Sequence, residues 1–186
     1  PLVHAEFVSE CMDASHELGL ANILVTNGHA GVQASRAVLE HCDAVNVDIK
    51  TWDTQRYRSM LGGNLEMVRA FIDLALDRGV HVEVTTLVVP ALCDEPWQIE
   101  GIADYLASLS PDIAYHLSAY RPMYRYQKPA TSLKLLASLA TAAKSRLRFV
   151  YTWPECGDND THCPSCGSIL VARDGWTVDT RGIRGD

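Results

Sequence analysis

The sequence predicts an α/β fold with mainly parallel strands, followed by a small cysteine-rich ribbon. Three observations predict it. Short β-branched runs alternate with longer amphipathic stretches, and strand starts fall roughly 20–40 residues apart, which is βα-unit spacing. The amphipathic stretches end at glycines or open at capping residues, as helices do. Three of the six cysteines, Cys156, Cys163 and Cys166, crowd near the C-terminus. Two units are expected: residues 1–152 forming the α/β part and residues 153–186 forming the tail.

His4 to Leu18 reads as a helix with Phe7, Val8, Cys11, Met12 and Leu18 on its apolar side and Gly19 at its end. The run from Ala21 to Val25 is a first strand, stopping at Thr26-Asn27-Gly28-His29. A helix from about Ala30 to His41 leads into a second strand, Asp43 to Lys50, built on Val45, Val47 and Ile49. A connecting segment to Met60 and the break at Gly62-Gly63 precede a helix from Leu65 to Arg78, ended by Gly79. The third strand, His81 to Val89, closes at Pro90. Asp94 is the expected N-cap of the next helix, which carries Pro96 in its first turn and Ile99, Ile102 and Leu106 inside. A fourth strand spans Ile113 to Ser118. Thr131 is the expected cap of a helix through Leu135, Leu139 and Ala143, and Arg148 to Tyr151 is the fifth strand. The strand runs are read as apolar on both faces, as in a parallel sheet covered by helices. Either an open doubly wound sheet or most of a barrel satisfies this pattern.

The chain has 186 residues, a hydrophobic content of 47% and a net charge of −7. That charge argues against a phosphate-backbone binder, so no nucleic-acid partner is expected. No apolar run approaches the ~20 residues of a membrane span, and no membrane partner is expected. The N-terminus, Pro1-Leu2-Val3-His4, lacks a basic n-region, a long apolar h-region and an initiator Met. A cytoplasmic, processed or fragmentary chain with reduced thiols is therefore expected. Neither GxGxxG after a strand nor a Walker loop is present.

Polar residues collect at the C-terminal ends of the strands, the edge where parallel α/β folds bind ligands. They are Thr26-Asn27-Gly28-His29, then Asp48 and Lys50, then Thr85 and Thr86 before Pro90, then His116, Ser118 and Arg121. Asp48 and Lys50, two apart, project from one face while the strand persists. Each alone has a plain reading: Thr-Asn-Gly as a turn, Asp-x-Lys as a structural ion pair, His116 as a hydrogen-bonded core histidine. Four strands sharing the habit point to a ligand with carboxylate, amine and hydroxyl groups.

The order Thr26-Asn27-Gly28, Asp48-Ile49-Lys50, Thr86-Leu87-Val88-Val89-Pro90 and His116…Tyr120-Arg121-Pro122 resembles the radical S-adenosylmethionine (radical SAM) superfamily, in its branch of pyruvate formate-lyase activating enzymes. Cys163-Pro164-Ser165-Cys166-Gly167 is similar to the tail of AmmeMemoRadiSam-system radical SAM enzymes. The resemblance implies an incomplete (β/α) radical SAM partial barrel and an oxidoreductase. Such an enzyme cleaves S-adenosylmethionine (SAM) reductively at a 4Fe-4S cluster, and the resulting 5′-deoxyadenosyl radical abstracts hydrogen from a protein or small-molecule substrate. It also implies cofactor-binding roles for Thr26, Asn27, Asp48, Lys50, Thr86, Val88, Pro90, His116 and Arg121, and Memo-like and AMMECR-type partners. Val25 stands where activating enzymes commonly have Asp, and Arg121 where they commonly have His. CxxxCxxC is absent, so the cluster ligands are expected outside this chain, which alone should not perform radical chemistry. The alternatives are a non-radical barrel enzyme, with Lys50 as Schiff-base nucleophile or Asp48 as general base, and a non-catalytic partner-binding module.

In the tail, Cys163-x-x-Cys166 has the spacing of a metal knuckle, with Cys156 as a third ligand. Three readings stay open: a structural zinc site, free thiols, or an iron–sulfur set completed elsewhere. Ile169 to Ala172 and Trp176 to Val178 read as a hairpin around Arg173-Asp174-Gly175.

Overall fold

The computed structural model describes residues 1–183; the last three residues of the expected tail unit lie outside the described residues. Five parallel strands form the main sheet: β1 (Ile23–Thr26), β2 (Ala44–Asp48), β3 (His81–Val88), β4 (Ala114–Ala119) and β5 (Val150–Trp153). They stand side by side in chain order, each parallel to the next. With right-handed crossovers, that order sends every connection over the same face. The sheet is therefore singly wound, a partial barrel rather than a doubly wound sheet.

Helix α1 (Ala5–Glu17) precedes β1, and the crossovers are α2 (Val32–Leu39), α3 (Thr54–Leu61) with α4 (Leu65–Asp77), α5 (Pro96–Leu109) and α6 (Leu133–Lys144). Their buried sides carry Val38 and Leu39, then Val68, Phe71 and Ile72, then Ile99, Ile102 and Leu106, then Leu136 and Leu139. These meet one row from each strand, including Val45, Val47, Val82, Val84, Tyr115 and Leu117. The expectation of apolar strands on both faces is corrected here. Burial alternates residue by residue along β2, β3 and β4, so one face is core and the other is an open concave surface. Period-two geometry requires this whenever helices cover one side alone.

Smaller corrections concern caps and faces. Asp94 does not cap α5; its carboxylate accepts from the Ala91 amide, and Glu95 holds the cap position. Ser132, not Thr131, caps α6. Thr131 instead donates to the Val88 carbonyl and accepts from the Tyr120 amide. The segment after Trp52 is a full helix, α3, capped by the Asp53 carboxylate on the Gln55 and Arg56 amides at 2.8 and 3.0 Å. On α1 Phe7 and Cys11, and Leu18 just past its end, are exposed and Met12 is buried, because the helix packs chiefly against α2.

After β5 the chain forms a second, antiparallel sheet: β6 (Thr161–His162), β7 (Ile169–Asp174) and β8 (Thr177–Asp179). Asn159 fastens it to β5 through the Thr152 amide (2.9 Å) and carbonyl (2.7 Å).

Candidate functional site

The concave face is assembled from residues that alternate with the core row. β2 contributes Asn46 and Asp48, β3 contributes Glu83 and Thr85, β4 contributes His116 and Ser118, and β5 contributes Tyr151. Ion pairs and hydrogen bonds tie them together both along and across the strands. Asp48 pairs with Lys50 at 2.9 Å. The Thr85 hydroxyl donates to Asn46 Oδ1 at 2.8 Å. His116 Nε2 lies 2.8 Å from Glu83 Oε2, and its ring stacks on Tyr151 at 5.4 Å. His81 reaches the other Glu83 oxygen at 3.4 Å. The His116 hydrogen bond, outweighing burial, holds the Glu83 carboxyl down at about 2.

Three concavities run together along this face. One of about 560 Å³ is lined by Asn27, His29, Asp48 and Lys50, with Pro1 and Leu2 beside them. The next, about 500 Å³, shares Asp48 and Val25 with it and adds Asn46, Glu83 and Thr85. The third, about 370 Å³, shares Asn46 and Thr85 and reaches His116, Tyr151, Trp153, Arg173 and Trp176. They form one groove from the β1 end of the sheet to the ribbon.

Of the residues expected at the site, Thr26, Asn27, Asp48 and Lys50 come together at one end of the groove. Thr26 is mostly buried and accepts from the Gly28 amide at 3.2 Å. Asn27 accepts from the His29 amide through Oδ1, which leaves its amide nitrogen as a donor. This turn requires glycine. Gly28 has φ +63, and a Cβ there would lie 3.0 Å from Val47 Cγ1. His116 lies toward the far end, away from Lys50.

Four expected residues are not in the groove. Thr86 and Val88 belong to the buried row of β3. Thr86 donates to the Ile49 carbonyl and accepts from Tyr115 at 2.9 Å. Adjacent threonines in a strand face opposite ways, so the groove takes Thr85. Pro90 is half-buried and its carbonyl accepts from the Tyr126 hydroxyl. Arg121 is exposed on the loop after β4 and lines none of the three concavities. Asn46, Glu83 and Tyr151, outside the sequence-based expectation, also line the groove. Their signal was the spacing of two that relates Asn46 to Asp48 and Glu83 to Thr85.

In the tail, Cys163 and Cys166 form a knuckle: the Gly167 amide donates to the Cys163 carbonyl and the Cys163 amide to the Ser168 carbonyl, both at 2.8 Å. Hydrogen bonds from Ser168, its hydroxyl first, lower the Cys166 thiol toward the thiolate. Cys156 does not complete a three-thiol set. Its thiol faces the Pro154 carbonyl at 3.4 Å, packs against the core, and is raised by burial. Among the described residues, the ligand-type side chains that do converge here are Asp158, Asp160 and His162. Burial pushes Cys42 up to about 11 and Cys93 up to about 12, so neither is a ready thiolate. Among the described residues no helix is long and apolar enough to cross a membrane.

No family model matches the chain. Among curated proteins, it is 28% identical over 178 residues to an uncharacterized protein of Methanocaldococcus jannaschii, covering 93% of this chain and 53% of that protein. It is 25% identical over 136 residues to the pyruvate formate-lyase-activating enzyme of Clostridium pasteurianum, covering 72% and 57%. The chain thus spans little more than half the length of these relatives. Among solved structures, a domain of a pyruvate-formate lyase-activating enzyme from Bacteroides vulgatus has a TM-score of 0.70 at 16% identity, over 82% of this chain and 92% of that one. SuiB of Streptococcus suis has a TM-score of 0.62 at 13% identity, over 77% and 35%. The fold is that of a partial radical SAM barrel. This chain thus shares its α/β architecture with the activating-enzyme domain and with SuiB, and its sequence is similar to that of an activating enzyme over 136 residues.

Proposed function

We propose that this chain supplies the SAM-binding part of a radical SAM enzyme of the activating-enzyme type, in the AmmeMemoRadiSam branch. The observation that carries the reading is the Asp48–Lys50 pair, which opens with Asn27 and His29 into one concavity on the inner face of the partial barrel. The residues present fit SAM. Asp48 suits an ammonium or ribose hydroxyls, Lys50 and the free amide of Asn27 suit a carboxylate, and Val25 and Leu2 give apolar walls. Bound SAM supplies hydrogen-abstracting radical chemistry once reduced. The chain's own residues hold the two charged ends of its methionyl part and line the route toward Glu83 and His116.

The thiols present do not fit a 4Fe-4S cluster. Cys42 and Cys93 are buried, and among the described residues no three thiols converge. Cluster ligands outside this chain fit the greater length of the relatives. In the tail, residues 153–186, Cys163 and Cys166 offer two thiolates to zinc and need partners other than Cys156 where it now stands. Memo-like and AMMECR-type proteins are the proposed partners. The Schiff-base alternative is disfavoured because Asp48 engages the Lys50 amine that imine formation needs free.

Titration calorimetry of SAM into the chain tests the reading. Saturable binding is expected, weakened about tenfold to a hundredfold by Asp48→Asn or Lys50→Met, the cost of a charge-assisted hydrogen bond. No heat with SAM, or an unchanged affinity in Lys50→Met, would overturn it. Borohydride trapping on Lys50 would move the assignment to imine chemistry.

A further inference from the structure

Charge is unevenly distributed along this acidic chain. It has 16 basic and 23 acidic residues, yet no Asp or Glu occurs between Asp112 and Glu155, a stretch holding seven of the sixteen bases. Two groups of these bases behave differently. At the bottom of the sheet, Arg146 reaches Asp104 and Glu100, Arg148 reaches Asp112, and Lys144 donates to the Asp158 carbonyl. At the top, on the β4–α6 loop, Arg121, Arg125 and Lys128 are exposed, with no carboxylate in ion-pair distance among the described residues.

That loop is tied down at its base and presents its tip outward. Tyr120 and Thr131 exchange hydrogen bonds across its ends, at 3.1 and 3.0 Å. Tyr126 is locked from both sides: its hydroxyl donates to the Pro90 carbonyl at 2.6 Å, and its own carbonyl accepts from Tyr120. Its ring meets Tyr120 edge-on at 5.6 Å. Between these anchors Met123 and Tyr124 are 75% and 84% exposed. The Arg125 guanidinium sits 5.1 Å from the Tyr124 ring. Ordering of the loop is thus achieved before any partner arrives, which lowers the entropy cost of binding.

We infer that the β4–α6 loop is a docking surface for an acidic polypeptide segment. Three cations within eight positions match a few carboxylates, and the exposed Met and Tyr add adaptable apolar contact. A nucleic acid fits less well, since its continuous phosphates would meet the acidic remainder of a chain with net charge −7. The inference needs only this surface, so it and the SAM reading fail separately.

Fluorescence anisotropy with a labelled dodecapeptide rich in glutamate and tyrosine tests it. Saturable binding is expected, weakening as salt rises from about 50 to about 300 mM. The Arg125→Glu/Lys128→Glu double variant should weaken it at least about tenfold. The Arg58→Glu/Arg78→Glu variant, with the same change in net charge on exposed sites elsewhere, should leave it unchanged. Circular dichroism checks folding, and Arg125→Gln/Lys128→Gln serves if the reversal misfolds. Equal weakening in both charge-reversal variants, absence of saturable binding, or tighter binding of single-stranded DNA would each overturn the inference. SAM calorimetry on the same variants should be unaffected.

Discussion

Glu83 stands on the central strand with an imidazole at each carboxylate oxygen. Its carboxyl lies at about 2 against an ordinary 4.5, chiefly through the hydrogen bond from His116. A depressed folded value means that the group stabilises the fold above about 4.5 and loses this contribution as pH falls through about 2. The difference corresponds to roughly 3 kcal/mol before screening. The side chain is 35% exposed, which reduces it to about 1–2 kcal/mol. Glu83→Gln should therefore flatten the acid dependence of urea unfolding across that window, and superimposable curves would show that the pair contributes nothing. Asp48 and Lys50 were legible in the sequence because two charges two apart at a strand end stand out. Glu83 was not, because a carboxylate among Val82, Val84 and Leu87 reads as an exception to a buried strand. Only the one-sided cover of helices makes that whole row polar.

At the scale of the element, the packing of α5 is decided by one missing methyl. A Cβ on Gly101 would lie 2.4 Å from Cδ1 and Nε1 of Trp52. The indole itself is held: Arg69 lies 5.4 Å from it and 4.7 Å from Tyr105, whose hydroxyl bonds Asp73 at 2.7 Å. Alanine would gain about 1 kcal/mol of helix propensity, but overpacking of this kind costs about 1–3 kcal/mol. We expect Gly101→Ala to lower the thermal midpoint and to shift Trp52 fluorescence; a raised midpoint would mean that the indole swings aside freely. The alternation of strands and helices was readable because each helix has its own 3.6-residue period. The role of Gly101 was not, since it depends on a ring forty-nine residues away. Helix α3 is faint in the sequence for a related reason: Tyr57 is its only buried residue, so it carries almost no periodic signal.

At the scale of the molecule, sequential strand order leaves β1 with a neighbour on one side only among the described residues. Its concave-face residues, Ile23 and Val25, are 69% and 63% exposed. Leu20 and Phe7, from the same end of the chain, are exposed as well. An unpaired strand edge with apolar side chains is a template for another strand. The net charge of −7 opposes close approach of two copies, but only over a Debye length, and salt removes that protection. The chain by itself should thus associate reversibly, more strongly at high ionic strength, as sedimentation velocity over a concentration series would show. Ile23→Lys places a charge beside the edge without touching the core row of β1, and should shift the population toward monomer. A monomer at every concentration and salt would mean that the first turns of the chain already shield the edge. Association that ignores Ile23→Lys would place the contact elsewhere. The open edge matters for function because the groove begins there. Whatever pairs with β1 also forms a wall beside Asn27, Asp48 and Lys50, so SAM affinity and edge occupancy should rise together.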